Sequence, residues 1–389
     1  MDALRTLIAQ THAAACLECG KCTAVCPLAR YDGNFSPRRL VEEMVLGRPA
    51  EAFHSPDLWS CLTCRACQER CPQGVEYCTL IRGARALARR EGERVPCSHG
   101  GLLQTVMRLQ ADPRHAPKRL EWLQEGLEVS SDGETLYFVG CLPYFQAIFS
   151  DLGIPALEIA RSVVRLLNAA GERPQVRAEE RCCGHDLLWE GDVENFRRLA
   201  EQNRAMVQAS GARRIVTACP ECAYTLAVDY PALGYGLGVE VLHLSQWLDR
   251  ALQEGRLRLR RGERRLTYQD PCRLGRFLGE VEAPRRVLSA LGEVVELERN
   301  GRLALCCGGS WTDCGAANRA LQVERLAQAG RSGADLLVTA CVKCQIHLRC
   351  AQETAGLGEE GRMEMQDLAL LAAQGLERGR GGPSTPPQP

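Results

Sequence analysis

The chain has 389 residues, 45% hydrophobic and 25% charged, with Lys plus Arg and Asp plus Glu balanced at 48 each. This is enough apolar surface for two or three cored domains, and the balanced charge gives no argument for a nucleic-acid or anionic-membrane partner. No run of 18 apolar residues and no basic-then-apolar N-terminus is found, so neither a transmembrane helix nor a signal peptide is expected and the chain is read as cytoplasmic. Its 22 cysteines fall mostly in tight C-x-x-C groups, which in a chain without an export signal points to metal or cluster ligation and not to a disulfide scaffold.

In chain order, residues 1–110 come first. Cys16, Cys19, Cys22 and Cys26 follow the spacing C-x2-C-x2-C-x3-C before Pro27, and Cys61, Cys64, Cys67 and Cys71 repeat it before Pro72. This is the run of bacterial two-cluster ferredoxins, in which three thiolates wrap one [4Fe-4S] cube and the fourth ligates the other cube. One cluster is therefore expected on Cys16, Cys19, Cys22 and Cys71, the other on Cys61, Cys64, Cys67 and Cys26. Gly20 is expected to let backbone N–H groups approach sulfur. A pair of zinc sites is the alternative, but zinc calls for neither the third closely spaced Cys nor the Pro. Residues between and after these groups, Glu42 to Leu46 among them, read as helical.

Asp112-Pro113 and Ala116-Pro117 mark a linker over 111–133, closed by the turn cluster Ser130 to Gly133. Leu136-Tyr137-Phe138-Val139 then reads as a buried strand. From here the sequence repeats. Arg214 to Cys219 matches Leu336 to Cys341, with Gly211 and Gly333 eight residues before the Cys. Cys182-Cys183-Gly184 and Cys306-Cys307-Gly308 lie upstream, preceded by single cysteines Cys141 and Cys272, each after a strand. Both C-x-x-C groups, Cys219/Cys222 and Cys341/Cys344, join a strand to a helix, where open α/β sheets place ligands. Two similar α/β domains, 134–250 and 265–375, are expected. The basic segment between them (251–264, with Arg265 at its edge) is a solvated connector or a dock for an acidic partner. Residues 376–389 are read as a disordered tail.

The stretches Ser36 to Leu40, Leu58 to Cys64 and Gln68 to Val75 resemble the small iron–sulfur subunit of heterodisulfide reductase. The second half, with Asp270 to Arg276, resembles that enzyme's catalytic subunit. Together the resemblance covers most of residues 12–350. It implies a fusion of the two, an α+β multidomain protein whose helical ferredoxin domain precedes two Cys-Cys-Gly domains. It also implies a non-cubane [4Fe-4S] cluster on Cys141, Cys182, Cys183, Cys219 and Cys222, and another on Cys272, Cys306, Cys307, Cys341 and Cys344. A structural zinc, or an ordinary cluster on four of the five, is the alternative at each. Gly184 and Gly308 are expected where backbone passes close to inorganic atoms. Electrons would come from a flavoprotein or a quinol-linked subunit, with peripheral membrane association through that partner. A disulfide would lie between the two sites and be cleaved to thiols, with Cys183 and Cys307 at the reaction.

No flavin or NAD fingerprint is present, since Gly234 to Gly238 follows no strand. Cys78, Cys97, Cys314 and Cys350 are left over and read as small buried hydrophobes. His185 and His347, near the ligands, are packing residues or proton donors. The alternative functions are the iron–sulfur relay subunit of a flavin-linked dehydrogenase for glycerol 3-phosphate, glycolate or lactate, and a zinc-stabilised module without catalysis.

Overall fold

The computed structural model describes residues 2–115, 118–356 and 362–377. Ala116-Pro117 of the expected linker and residues 378–389 of the expected tail lie outside them. The N-terminal module is helical. Asp2–Gln10 (α1), Pro37–Val45 (α2) and Tyr77–Arg90 (α3) surround the two cysteine loops. Ser36 and Pro37 start α2, the serine hydroxyl accepting from the Arg39 amide and the proline occupying a position with no helical N–H to lose. Tyr77, Leu80, Ile81, Ala84, Arg85 and Ala88 form the buried face of α3 at helical spacing. Leu102–Ala111 (α4) packs chiefly against the next domain.

Two parallel sheets follow. Thr135–Tyr137 (β1), Arg214–Thr217 (β2) and Glu240–His243 (β3) form the first, in that order. Its helices are Ala156–Ala169 (α5), Val193–Ser210 (α6) and Leu244–Gln253 (α7). Arg265–Gln269 (β4), Glu293–Val294 (β5), Leu336–Thr339 (β6) and Met365–Asp367 (β7) form the second, in the order β5-β4-β6-β7. Its helices are Glu282–Leu291 (α8), Ala316–Arg331 (α9), Val342–Thr354 (α10) and Leu368–Gln374 (α11). The first strand ends at Tyr137, two residues earlier than its apolar run. Every cysteine expected after a strand leaves the carboxyl end of β1, β2, β4 or β6.

The two α/β domains exchange packing: α7 lies on α8, and α11 on α5. His243 ties them. Its Nε2 lies 3.2 Å from the carbonyls of both Ala218 and Ala340, which stand at equivalent places in the two repeats. Burial pushes its pKa down to about 4, so the ring stays neutral with the proton on Nε2. The N-terminal module shares its core with the second α/β domain, joining Leu40, Phe53 and Leu80 to Leu321, Leu348 and Met365.

The connectors are less free than expected. In the proline-marked stretch Arg119 and Trp122 are buried, and Arg119 pairs with Glu180 at 2.5 Å. In the basic segment Arg256 pairs with Glu172, Arg264 with Glu364 and Arg265 with Asp335, while Leu259 bridges to Leu376. Arg256, Arg264 and Arg265 are thus paired within the chain, while Arg258, Arg260 and Arg261 are exposed, and the ordered chain runs past residue 375. Among the described residues no helix is long and apolar enough to cross a membrane.

Asp367 matches His243 in the second repeat. It caps α11 through the Ala369 amide, and burial pushes its pKa up to about 7. A carboxyl raised above its unfolded value of about 4 favours the fold below that pH and loses this contribution as pH rises to 7. Asp367→Asn keeps the cap. It is expected to match wild type at pH 4 and exceed it by about 2–4 kcal/mol at pH 8, read from denaturant unfolding at both values.

Candidate functional site

The two ferredoxin loops share one backbone course. Glu18 (φ 51°) and Gly20 (φ 73°) flank Cys19; Thr63 (φ 47°) and Arg65 (φ 69°) flank Cys64. Non-glycine residues rarely adopt the left-handed region, and the repeat of the pattern marks an imposed wrap around a centre. Cys16, Cys19, Cys22 and Cys71 line one small cavity; Cys26, Cys61, Cys64 and Cys67 line a second, with Tyr77 and Cys78. The Thr63 and Val75 amides approach the sulfurs of Cys61 and Cys71 at 3.4 Å each. None of these thiols is in a disulfide. Burial pushes the thiols of Cys26, Cys61 and Cys67 up, and a metal centre between them is what would stabilise their thiolates. The donor set therefore fits iron–sulfur clusters.

The two five-cysteine sets are each gathered at the carboxyl edge of their sheet. In the first, Cys141 lies 3.6 Å from Cys182 and Cys183 3.4 Å from Cys222, with Cys219 beside Cys222. In the second, thiol contacts run from Cys272 through Cys306, Cys307 and Cys344 to Cys341. Cys306 and Cys64 lie in one buried cluster and their thiols act on each other, so the second ferredoxin loop adjoins the second cysteine-rich set. Each five-thiol group, without a disulfide, fits a metal cluster.

Gly184 and Gly308 also make room for packing, and the Gly184 amide reaches the Cys182 sulfur at 3.4 Å. Both have positive φ, and a Cβ there would lie 2.8 Å from the Phe196 ring or 2.9 Å from the Asn318 carbonyl. They let α6 and α9 pack close. Gly140 and Gly309 face sulfur, 3.1 Å from Cys222 and 3.2 Å from Cys307 by the same measure.

A cleft opens on the second set. Cys272, Cys306, Cys307, Cys341, Cys344 and Cys61 line it, with His185, Asp186, Glu190 and Glu221 of the first domain and Arg85, Trp311 and Lys343 opposite. Cys183 is buried and, like the rest of the first set, is not on its wall. Between the sets stand buried side chains. The Lys343 ammonium binds Asp186 at 2.6 Å and Glu221 at 3.2 Å. Glu221 and Lys343 occupy equivalent positions of Cys-Pro-Glu-Cys and Cys-Val-Lys-Cys. Arg273 donates to His185 Nε2 at 3.1 Å and to the Thr63 carbonyl at 3.0 Å, and covers the Trp189 ring at 3.9 Å.

Both histidines are held as neutral imidazoles in this arrangement. Because Arg273 donates to His185 Nε2, the ring is neutral with its proton on Nδ1, bonded to Thr225 at 2.7 Å, and burial pushes its pKa well down. His347 takes the place equivalent to Thr225, and burial pushes it down to about 3. Of the four spare cysteines, Cys78 is buried as expected, Cys97 and Cys350 are half-buried, and Cys314 is exposed. The residue sequence reasoning missed is Glu190. Burial holds it up at about 7, Gln104 donates to its Oε1, and its Oε2 is unpartnered. Only the fold brings it to the cleft.

Comparison with known proteins agrees with this layout. A 4Fe-4S dicluster domain matches residues 12–75, and a cysteine-rich domain (CCG) matches 135–227 and again 266–349. One subunit of the dihydromethanophenazine:CoB--CoM heterodisulfide reductase of Methanosarcina acetivorans is 28% identical over 93% of both chains. A probable membrane-anchored ferredoxin of Chromohalobacter salexigens is 30% identical over 96% of this chain, which spans 60% of that protein. An EtfAB:quinone oxidoreductase of Syntrophomonas wolfei is 27% identical over 75% of this chain and 47% of its own length.

Proposed function

Since the chain belongs to the iron–sulfur oxidoreductase subunits that join a 4Fe-4S dicluster domain to two cysteine-rich domains, and is related to the heterodisulfide reductases, we propose that it passes electrons along the dicluster module to the second cysteine-rich site and there reduces a disulfide. Four clusters would be held by the four thiol groups described above, and they would supply one-electron steps. The observation that carries the reading is that Cys64 adjoins Cys306 beside a cleft walled by Cys307. The overall step is RS–SR′ + 2 e⁻ + 2 H⁺ → RSH + R′SH, the electrons coming from a redox partner protein. The cleft walls orient the disulfide and limit water at Cys307.

Glu190 supplies one of the protons in this reading. Its carboxyl faces Asp186 from its own segment, Arg85 from α3, Gln104 from α4, Lys343 from α10 and the Cys97 thiol. Being half-protonated near pH 7, it donates below that pH and not above. Wild-type thiol release should therefore fall as pH rises through 7. Glu190→Gln should lower the rate roughly 10²-fold and flatten that limb, as expected for loss of a general acid.

A second reading is favoured by one observation. The space between the two cysteine-rich sets, where the family resemblance seats a disulfide, is filled by His185, Arg273, Glu221 and Lys343. A relay component of a flavin-linked dehydrogenase needs no such space. The test of the function is anaerobic purification of the full chain, metal analysis, and thiol release with reduced viologen over a panel of disulfides. About 16 irons per chain, four per cluster, together with thiol release support the first reading. Full iron load with no thiol release but with quinone reduction moves the function to the relay. About eight irons with zinc in the remainder overturns both.

A further inference from the structure

The internal repeat gives a controlled comparison of the two cysteine-rich sites, and they differ in charge. The residue after the leading cysteine is Leu142 in the first domain and Arg273 in the second; the fourth residue after it is Phe145 or Arg276. Eight residues before Gly211 and Gly333 stand Asn203 and Arg325. Two residues before the paired cysteines stand Glu180 and Ala304. At these positions the second site gains three guanidinium groups and loses Glu180; in exchange Arg181 of the first site gives way to Leu305, and Val139 to Asp270, which pairs with Arg285.

All three arginines are buried, and among the described residues none pairs with a carboxylate. Arg276 donates its Nε–H to the Cys64 carbonyl at 2.6 Å and its Nη1–H to the Ala304 carbonyl at 2.7 Å; its Nη2 has no partner. The groups acting most on it are the thiols of Cys64, Cys272 and Cys306. Arg325 donates to Gln269, Gln328 and the Arg299 carbonyl, and its Nη2 too is unpartnered. Asp270, itself paired with Arg285, is the first anionic influence on it, followed by Cys307 and Cys344. The first domain's buried Arg119, by contrast, is neutralised by Glu180. Uncompensated buried cations are costly unless an anion stands nearby. The carboxylates in reach, Asp270, Glu221 and Asp229, are already paired with Arg285, Lys343 and Arg82, which leaves the thiolate sets of Cys61 to Cys67 and of Cys272 to Cys344 to supply it.

We propose that Arg273, Arg276 and Arg325 make the second cysteine-rich site the electron sink of the chain, holding the group bound there at a more positive potential than its counterpart in the first site. The assignment rests on the iron–sulfur reading above. Fixed positive charge in a low-dielectric surrounding favours each added electron. Electrons arriving past Cys64 therefore collect beside the cleft. The first site, where Glu180 pairs with Arg119, is the harder to reduce.

The experiment is a dye-mediated redox titration of the anaerobic full chain followed by EPR, with iron content measured on each sample. The signal lost in Cys307→Ser identifies the second site. Arg325→Gln and Arg276→Gln should each shift that midpoint to more negative potential at wild-type iron content, while Arg325→Lys keeps it. Glu180→Gln should shift the first site's midpoint positive, and it reads the same electrostatics if the arginine variants fail to fold. A second-site midpoint unmoved in both glutamine variants at full iron load overturns the arginine assignment alone. A second site that binds zinc in the wild type overturns the iron–sulfur reading and this inference with it.

Discussion

Cys307→Ser is expected to abolish thiol release driven by reduced viologen, while Cys19→Ser keeps most of that rate and loses the rate with the native donor. The two residues stand at opposite ends of the proposed path. Cys307 lies on the cleft wall, within thiol contact of Cys306 and Cys344. Cys19 is exposed and lines the first dicluster cavity, away from the cleft. Serine is close to isosteric with cysteine, but its oxygen is a hard ligand and its hydroxyl resists deprotonation, so it holds iron–sulfur centres poorly. A small dye can reduce the cleft site without the dicluster module; a protein donor cannot. Cys183→Ser separates the readings further. Its sulfur is off the cleft wall and its site off the proposed path, so both the rate and KM are expected to stay close to wild type at full iron load in the second site. Equal loss of the dye-driven rate in Cys19→Ser and Cys307→Ser would place the chemistry elsewhere.

The order of the domains and the grouping of the cysteines were legible in the sequence because both rest on local patterns. Two ferredoxin runs with their prolines, and two apolar strands ending in C-x-x-C, announce themselves within a dozen residues. What joins the pieces was not legible. Arg85 links the carbonyls of Leu58, Trp59 and Cys61 to that of Trp189 across 104 residues. Arg273 meets Thr63 across 210. Such contacts depend on how finished surfaces meet, and no periodicity encodes them. The histidines show the same limit. His185 contacts Thr225 in the first repeat, whereas the second has Gly309 and His347 at those positions, the imidazole coming from the opposite partner to fill the space. A Cβ at Gly309 would lie 2.4 Å from that ring, so the exchange works only with glycine. The proline-marked stretch before β1 failed as a free linker for a related reason. Its prolines break helices, but Arg119 and Trp122 still dock, and the distant Glu180, with the Gly140 carbonyl, offsets the burial of the arginine.

Lys343→Met is expected to destabilise the folded chain by about 3–5 kcal/mol, the usual cost of removing one partner from a buried ion pair. The ammonium sits between Asp186 and Glu221 and 4.9 Å over the Trp311 ring, with its side chain 11% exposed. Methionine fills the same volume but leaves two acidic groups facing each other at the junction of the domains. Burial already holds Glu221 up at about 7, and Lys343 is the main influence lowering it. A repulsive junction should also loosen the cleft, so the variant should lose cooperativity as well as midpoint in denaturant unfolding. Charge reversal distinguishes this account from simple loss of packing. Because Glu221 and Lys343 are equivalent residues of the repeat, exchanging them places the ammonium on the other C-x-x-C loop, still within reach of Asp186 and now facing the glutamate on α10. Glu221→Lys/Lys343→Glu should therefore recover most of the stability that either single substitution loses, with a coupling energy at the upper end of the roughly 0.5–3 kcal/mol seen for residues in one network. Additive losses in the double variant would show that the junction is held by packing alone and that the three charges contribute little to it.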